Sequence, residues 1–154
     1  MNKFSAVVRV AAALILAAIP LMGCAGQGDE ASPARGLLSE ATMAMAVDEN
    51  SRPVGPTTVF PTDAEGLFCS FKITDAPPGT EIKAEWVYVG GEIEEDIGKN
   101  STLETMNAIA EGTCYTYVAK SYLPRLDFEW PRGDYEVVLY VNGEKQVSVP
   151  FRIE

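Results

Sequence analysis

The chain has 154 residues, of which 12 are basic and 22 acidic, giving a formal net charge of −10 with no histidine. This charge argues against a nucleic-acid partner, because DNA and RNA binding depends on Lys and Arg that neutralise phosphates. The lack of histidine and the wide spacing of three cysteines argue against bound zinc and against an activated nucleophile. We therefore expect no cofactor, no metal and no enzymatic activity.

The N-terminus has the pattern of a secretory leader. Lys3 and Arg9 supply positive charge before Val10–Met22, a run of 13 uncharged residues. This run is too short for a permanent spanning helix, which needs about 20 apolar residues. Leu21-Met22-Gly23-Cys24 resembles the lipobox of bacterial lipoprotein precursors. The resemblance implies export and lipidation of Cys24, with anchoring to the outer membrane if the host has one and otherwise to the outer face of the cell membrane. The alternative is an ordinary secretory signal with a chance cysteine.

The remaining chain divides into a linker and a folded domain. We expect residues 1–23 to be the signal peptide, 24–52 the lipidated cysteine with a flexible linker, and 53–154 one β domain. The start of the linker is rich in Ala, Gly, Ser, Pro and charge, a composition that buries too little apolar surface to fold. Residues 42–47 fit either a first strand or a helical turn.

Apolar residues then recur mostly at every second position, the pattern of half-buried strands. Leu67–Ile73 and Ile82–Tyr88 are the clearest predicted strands. Ile93–Ile97 predicts a short acidic strand, 103–110 fits a strand or a helix, and Cys114–Ala119 predicts a further strand.

The C-terminal residues predict a β-hairpin. Tyr135–Val141 and Val147–Ile153 both alternate, and Asn142-Gly143 between them suits a type I′ turn, which needs positive φ at both central residues. Pro150 lacks a backbone N–H, so the last strand is expected to lie at a sheet edge there.

Short strands joined by Gly- and Pro-rich turns predict an all-β antiparallel sandwich after the signal peptide and flexible tether. Two features resemble immunoglobulin-like domains. Cys69 precedes Trp86 by 17 positions, and Trp130-Pro-Arg-Gly-Asp-Tyr135 resembles the corner before the penultimate strand, with Tyr135 as its tyrosine-corner residue. The chain departs from that family at Val137, where the second conserved cysteine would be.

Two cysteines remain once Cys24 is assigned to the lipid. An exported compartment permits disulfides, so Cys69 and Cys114 are paired by elimination. Two buried free thiols are the alternative.

Aromatic residues late in the chain form a candidate binding surface for glycan or peptide. Its members are Tyr115, Tyr117, Tyr122 and Trp130. The alternative is that they pack in the core, since large aromatics dominate small cores.

The acidic run Glu92, Glu94, Glu95 and Asp96 could in principle hold Ca²⁺. It lacks the spacing and the glycine of a calcium loop, which favours a solvated hairpin tip.

These observations predict a membrane-anchored immunoglobulin-like domain that binds another cell-envelope component, protein or glycan, without catalysis. A structural subunit of an envelope protein complex is the first alternative. A small carbohydrate-acting enzyme is the second, since paired carboxylates can act as acid and base but need a cleft.

Overall fold

The computed structural model describes residues 37–110, 116–124 and 129–154, with the backbone alone for residues 116–124. The elements in chain order are β1 (Leu38–Val47), β2 (Pro53–Pro56), β3 (Val59–Phe60), β4 (Gly66–Thr74), β5 (Glu81–Gly91), α1 (Glu94–Ile97), β6 (Ser101–Ile109), β7 (Thr116–Pro124), β8 (Gly133–Val141) and β9 (Glu144–Ile153). The described part of the protein is thus all-β apart from one helical turn.

The strands form two sheets. The first sheet has the order β2-β1-β4-β7 and the second has the order β3-β9-β8-β5-β6. Every pairing is antiparallel except that of β3 with β9, which is parallel and joins Val59 to Arg152 and Phe60 to Ile153.

One hydrophobic core takes side chains from both sheets. The alternation predicted for Leu67–Ile73 and Ile82–Tyr88 is confirmed, because the apolar positions of both strands are buried. Phe151 of β9 joins them through ring contacts, with centroids 5.8 Å from Trp86 and 5.3 Å from Tyr135. Complete burial of a large apolar side chain stabilises a fold by about 1.5–3 kcal/mol, so these rings contribute strongly to holding the core together.

The C-terminal hairpin is confirmed. Asn142 has φ 49° and Gly143 has φ 81°, as a type I′ turn requires. The Asn142 side chain also accepts a hydrogen bond from the backbone N–H of Glu81 at 2.9 Å, which ties the turn to β5. One side of β9 pairs with β8, and on the other side β3 pairs only with Arg152 and Ile153. Pro150 therefore lies at a sheet edge, as predicted.

The short acidic strand predicted for Ile93–Ile97 is wrong, because this segment forms α1. Backbone N–H groups of Asp96 and Ile97 both donate to the carbonyl of Ile93, which closes a helical turn. Ile93 and Ile97 are four residues apart, and both pack against the core. On a helix that spacing places them on one face, so the turn partly buries both while Glu95 and Asp96 are exposed.

Long-range pairing resolves the two ambiguous segments as strands. Residues 103–110 fall largely in β6, which pairs with β5. Residues 42–47 lie in β1, which begins at Leu38, within the range predicted as linker, and pairs with β4. Within the described residues, no helix has the length and apolar character needed to cross a membrane.

Cys69 is a fully buried free cysteine on β4. Burial raises the pKa of its thiol to about 12, because a thiolate is poorly solvated in the core. Cys114 lies outside the described residues, so the predicted disulfide stays a prediction without structural support.

Candidate ligand groove

An open groove lies at one end of the second sheet, where β5 ends, β8 begins and β9 ends. Its lining includes three glycines, Gly90, Gly91 and Gly133. Gly91 pairs with Gly133 across the ladder, and the register shifts between Tyr88 and Gly90. We call this site the glycine groove; its volume is ≈ 700 Å³.

Close backbone approach explains two of these glycines. A Cβ on Gly91 would lie 2.5 Å from the carbonyl oxygen of Arg132, and a Cβ on Gly133 would lie 2.5 Å from that of Gly90. Neither contact can be relieved by moving a flexible side chain. The backbones of β5 and β8 therefore contact each other directly at these two glycines, where a side chain would otherwise stand.

Buried aromatic residues and backbone hydrogen bonds hold the groove in shape. The Tyr88 and Tyr135 rings meet edge to face with centroids 5.2 Å apart. The Tyr88 hydroxyl accepts a hydrogen bond from the Ile93 N–H at 3.1 Å, and the Tyr135 hydroxyl donates to the Pro131 carbonyl at 2.6 Å. Burial raises the pKa of both phenols, so both stay neutral donors and acceptors at physiological pH.

A second set of contacts joins the loops next to Gly91 and Gly133. Glu92 donates its backbone N–H to the Arg132 carbonyl at 2.9 Å, and its carboxylate accepts the Arg132 N–H at 3.0 Å. The Arg132 backbone is therefore fixed, while its side chain is exposed.

The walls of the groove carry both signs of charge. Lys99 pairs with Glu94 at 3.4 Å, and Arg152 pairs with Asp134 at 2.7 Å. The bond to Arg152 lowers the pKa of the Asp134 carboxyl. Among the described residues, neither Arg132 nor Glu154 forms an ion pair. The charge of Glu154 does add, after the bond to Asp134, to the raised pKa of Arg152.

A second, less polar groove of ≈ 580 Å³ adjoins the first. The two share Val89, Asp134 and Arg152, so the Asp134–Arg152 pair lies at their boundary. Val59 and Pro150 line the second groove, and Val59 is 45% exposed.

Of the aromatic residues predicted as a binding surface, Trp130 is the one whose side chain lies among the described residues. Trp130 is buried at 5% exposure, and its indole N–H donates to the Ala64 carbonyl at 2.8 Å. Its prediction as a surface stacking residue is therefore wrong, because the indole fills the core and satisfies its N–H there. Tyr117 and Tyr122 lie on β7, opposite Ile73 and Phe68. Tyr115, like the lipidation residue Cys24, lies outside the described residues.

The acidic run is divided by the fold. Glu92 and Glu94 line the glycine groove, whereas Glu95 and Asp96 are exposed on α1. Within residues 37–110 and 129–154, no three acidic or cysteine side chains are grouped so as to hold a metal ion.

The glycine groove itself is absent from the sequence-based expectations. Gly90-Gly91 predicts only a strand end, and Trp130–Tyr135 predicts only a corner. One signal in the sequence could have indicated the groove: Gly90-Gly91 follows one predicted strand and Gly133 precedes another. Their juxtaposition depends on the pairing of β5 with β8, which local sequence does not specify.

No family model and no curated protein matches the chain. Among solved structures, the chain is similar to the alkylpurine DNA glycosylase AlkC of Pseudomonas fluorescens, bound to DNA containing an abasic site analog. The sequences are 14% identical with a TM-score of 0.49, over 76% of this chain and 30% of that chain.

This comparison contradicts three expectations from the sequence: an envelope-binding role without catalysis, no enzymatic activity, and no nucleic-acid partner. The similar structure is a DNA-bound enzyme, and the three expectations are dropped.

Proposed function

We propose that this protein is an exported lipoprotein, lipidated at Cys24, whose immunoglobulin-like sandwich binds a zwitterionic ligand in the glycine groove. The observation that carries the binding proposal is that the groove is lined by two opposite charges, Arg132 and Glu154, that form no ion pair among the described residues.

Three features support the immunoglobulin-like assignment. The Tyr135 hydroxyl reaches back to the Pro131 carbonyl, as a tyrosine corner does. Cys69 and Trp86 are both buried in the shared core. β3 and β9 pair in parallel at the edge of the second sheet.

The charge balance of the groove favours a ligand with both signs of charge. Two of its cations are already paired, and the groove has four acidic and three basic side chains. Arg132 is free to make a bidentate contact with a carboxylate or phosphate. Glu154 can accept an ammonium group. A purely anionic ligand would be repelled by the acidic excess, and a purely cationic one would be repelled by the unpaired charge of Arg132.

Blocking the groove tests the binding proposal. Gly90 has an ordinary φ, and a Cβ there would meet only the flexible Glu94 carboxylate, at 3.2 Å. Gly90→Leu should therefore fold and fill the groove. With glycylglycine as the probe, calorimetric titration of the full-length protein should show binding that Gly90→Leu weakens about tenfold or more.

Thr102→Leu is the matched control, because it adds the same side chain to exposed β6, away from the groove. Equal weakening by both variants, or no measurable binding of glycylglycine to the unmodified protein, would refute the proposed site.

The lipidation proposal has a separate test. Cys24→Ser removes the sulfur that would carry the lipid, so the protein should move from the membrane fraction to the soluble fraction after cell lysis. A variant that stays in the membrane fraction and carries no lipid would show that another segment anchors the chain.

A further inference from the structure

The second groove has a different chemical character from the glycine groove. Its lining includes Val59, Val89, Pro150 and Phe151, so apolar groups dominate it. Val59 is 45% exposed, although the adjacent Phe60 is completely buried. The chain thus presents an exposed aliphatic side chain directly beside a charged site.

The boundary between the grooves is formed by one ion pair together with Val89. Asp134 on β8 and Arg152 on β9 are cross-strand partners, and their side chains bond at 2.7 Å. Both residues line both grooves. The methylene groups of an Arg side chain offer apolar surface below the charged end, so a ligand can cross this boundary without leaving its apolar part in water.

We propose that the ligand is a zwitterion with an apolar side chain, whose charged groups lie in the glycine groove and whose apolar arm crosses the Asp134–Arg152 pair to cover Val59. This inference rests on the proposed function and specifies its ligand class further. Ligand sites commonly combine a few polar groups that fix orientation with apolar surface that adds affinity, and here the two lie side by side.

Dipeptides with free termini separate the two contributions. Glycylglycine probes the glycine groove alone, while leucylglycine and glycylleucine add an isobutyl group at either residue. In calorimetric titrations of the full-length protein in detergent micelles, at least one leucine dipeptide should bind about tenfold more tightly than glycylglycine, because it buries apolar area on Val59.

Val59→Ser should remove this advantage and leave glycylglycine affinity unchanged. Val54→Ser is the matched control, since Val54 is a similarly exposed valine (50%) on β2 of the other sheet. It should leave every affinity unchanged.

The outcomes distinguish the two proposals. Glycylglycine that binds as tightly as both leucine dipeptides would overturn the apolar arm and leave the proposed function standing. A leucine advantage that survives Val59→Ser would overturn it as well. Failure of all three dipeptides to bind would overturn the proposed function and this inference together.

Discussion

The two ends of the second sheet use glycine for different physical reasons. At the hairpin end, Gly143 has φ 81°, and a Cβ there would meet nothing within 4 Å. At the groove end, Gly133 has no such φ, and a Cβ would lie 2.5 Å from a backbone oxygen. The first glycine is required by local conformation and the second by a neighbouring strand. A turn glycine can therefore be predicted from its sequence neighbours, but a contact glycine cannot.

The largest expected effect comes from adding one methyl group at the groove end. Gly133→Ala should lower the free energy of unfolding by about 3 kcal/mol, because the backbones of β5 and β8 must separate. Urea unfolding would measure it. Gly90→Ala is the control in the same groove and should cost far less, since its Cβ would meet a movable side chain. Similar losses for both variants would show that close approach is not the cause.

A smaller effect is expected at the hairpin end. Gly143→Ala should cost about 1 kcal/mol in the same measurement, because an L-residue is strained at this φ while space is available. Gly143→Asn should cost less, since asparagine adopts the left-handed region more readily. If alanine and asparagine were equally costly, positive φ would not be the constraint at this turn.

The smallest effect is expected at the exposed pair beside the groove. The bond to Arg152 lowers the pKa of Asp134, so the pair stabilises the folded state at neutral pH and is lost as the pH falls through that lowered pKa. Asp134→Asn should therefore lower the melting temperature slightly at pH 7, and the difference from the unmodified protein should disappear as the pH falls through the lowered pKa of Asp134. A difference that persists in acid would have a cause other than this carboxylate.

Residues whose constraints are local were predicted well from the sequence. Asn142-Gly143 specified its turn, and the alternation in Leu67–Ile73 and Ile82–Tyr88 specified which side chains are buried. Spacing was misinterpreted at Ile93–Ile97, where two apolar residues four apart suit a helical turn as well as a strand. The sequence did not decide whether Trp130 lies on the surface or in the core, because its hydrogen-bond partner, Ala64, is 66 positions away.

The candidate site could not be predicted for the same physical reason. Arg132 and Glu154 come from different strand ends, and Val59 reaches the second groove only because β3 pairs with β9. The residues next to Arg132, Glu154 and Val59 in the sequence do not indicate which strands will pair. Composition specifies the total charge, whereas the position of an unpaired cation such as Arg132 depends on the fold.

The parallel pairing of β3 with β9 has a consequence for the order of folding. It joins two residues near the start of the domain to the end of its last strand, a contact that closes a very long loop and yields few hydrogen bonds. The β8–β9 hairpin is local and can form much sooner. We expect β3 to pair late, with a sheet that is already assembled. In a refolding experiment the β8–β9 hairpin should therefore form before Val59 reaches its place in the second groove.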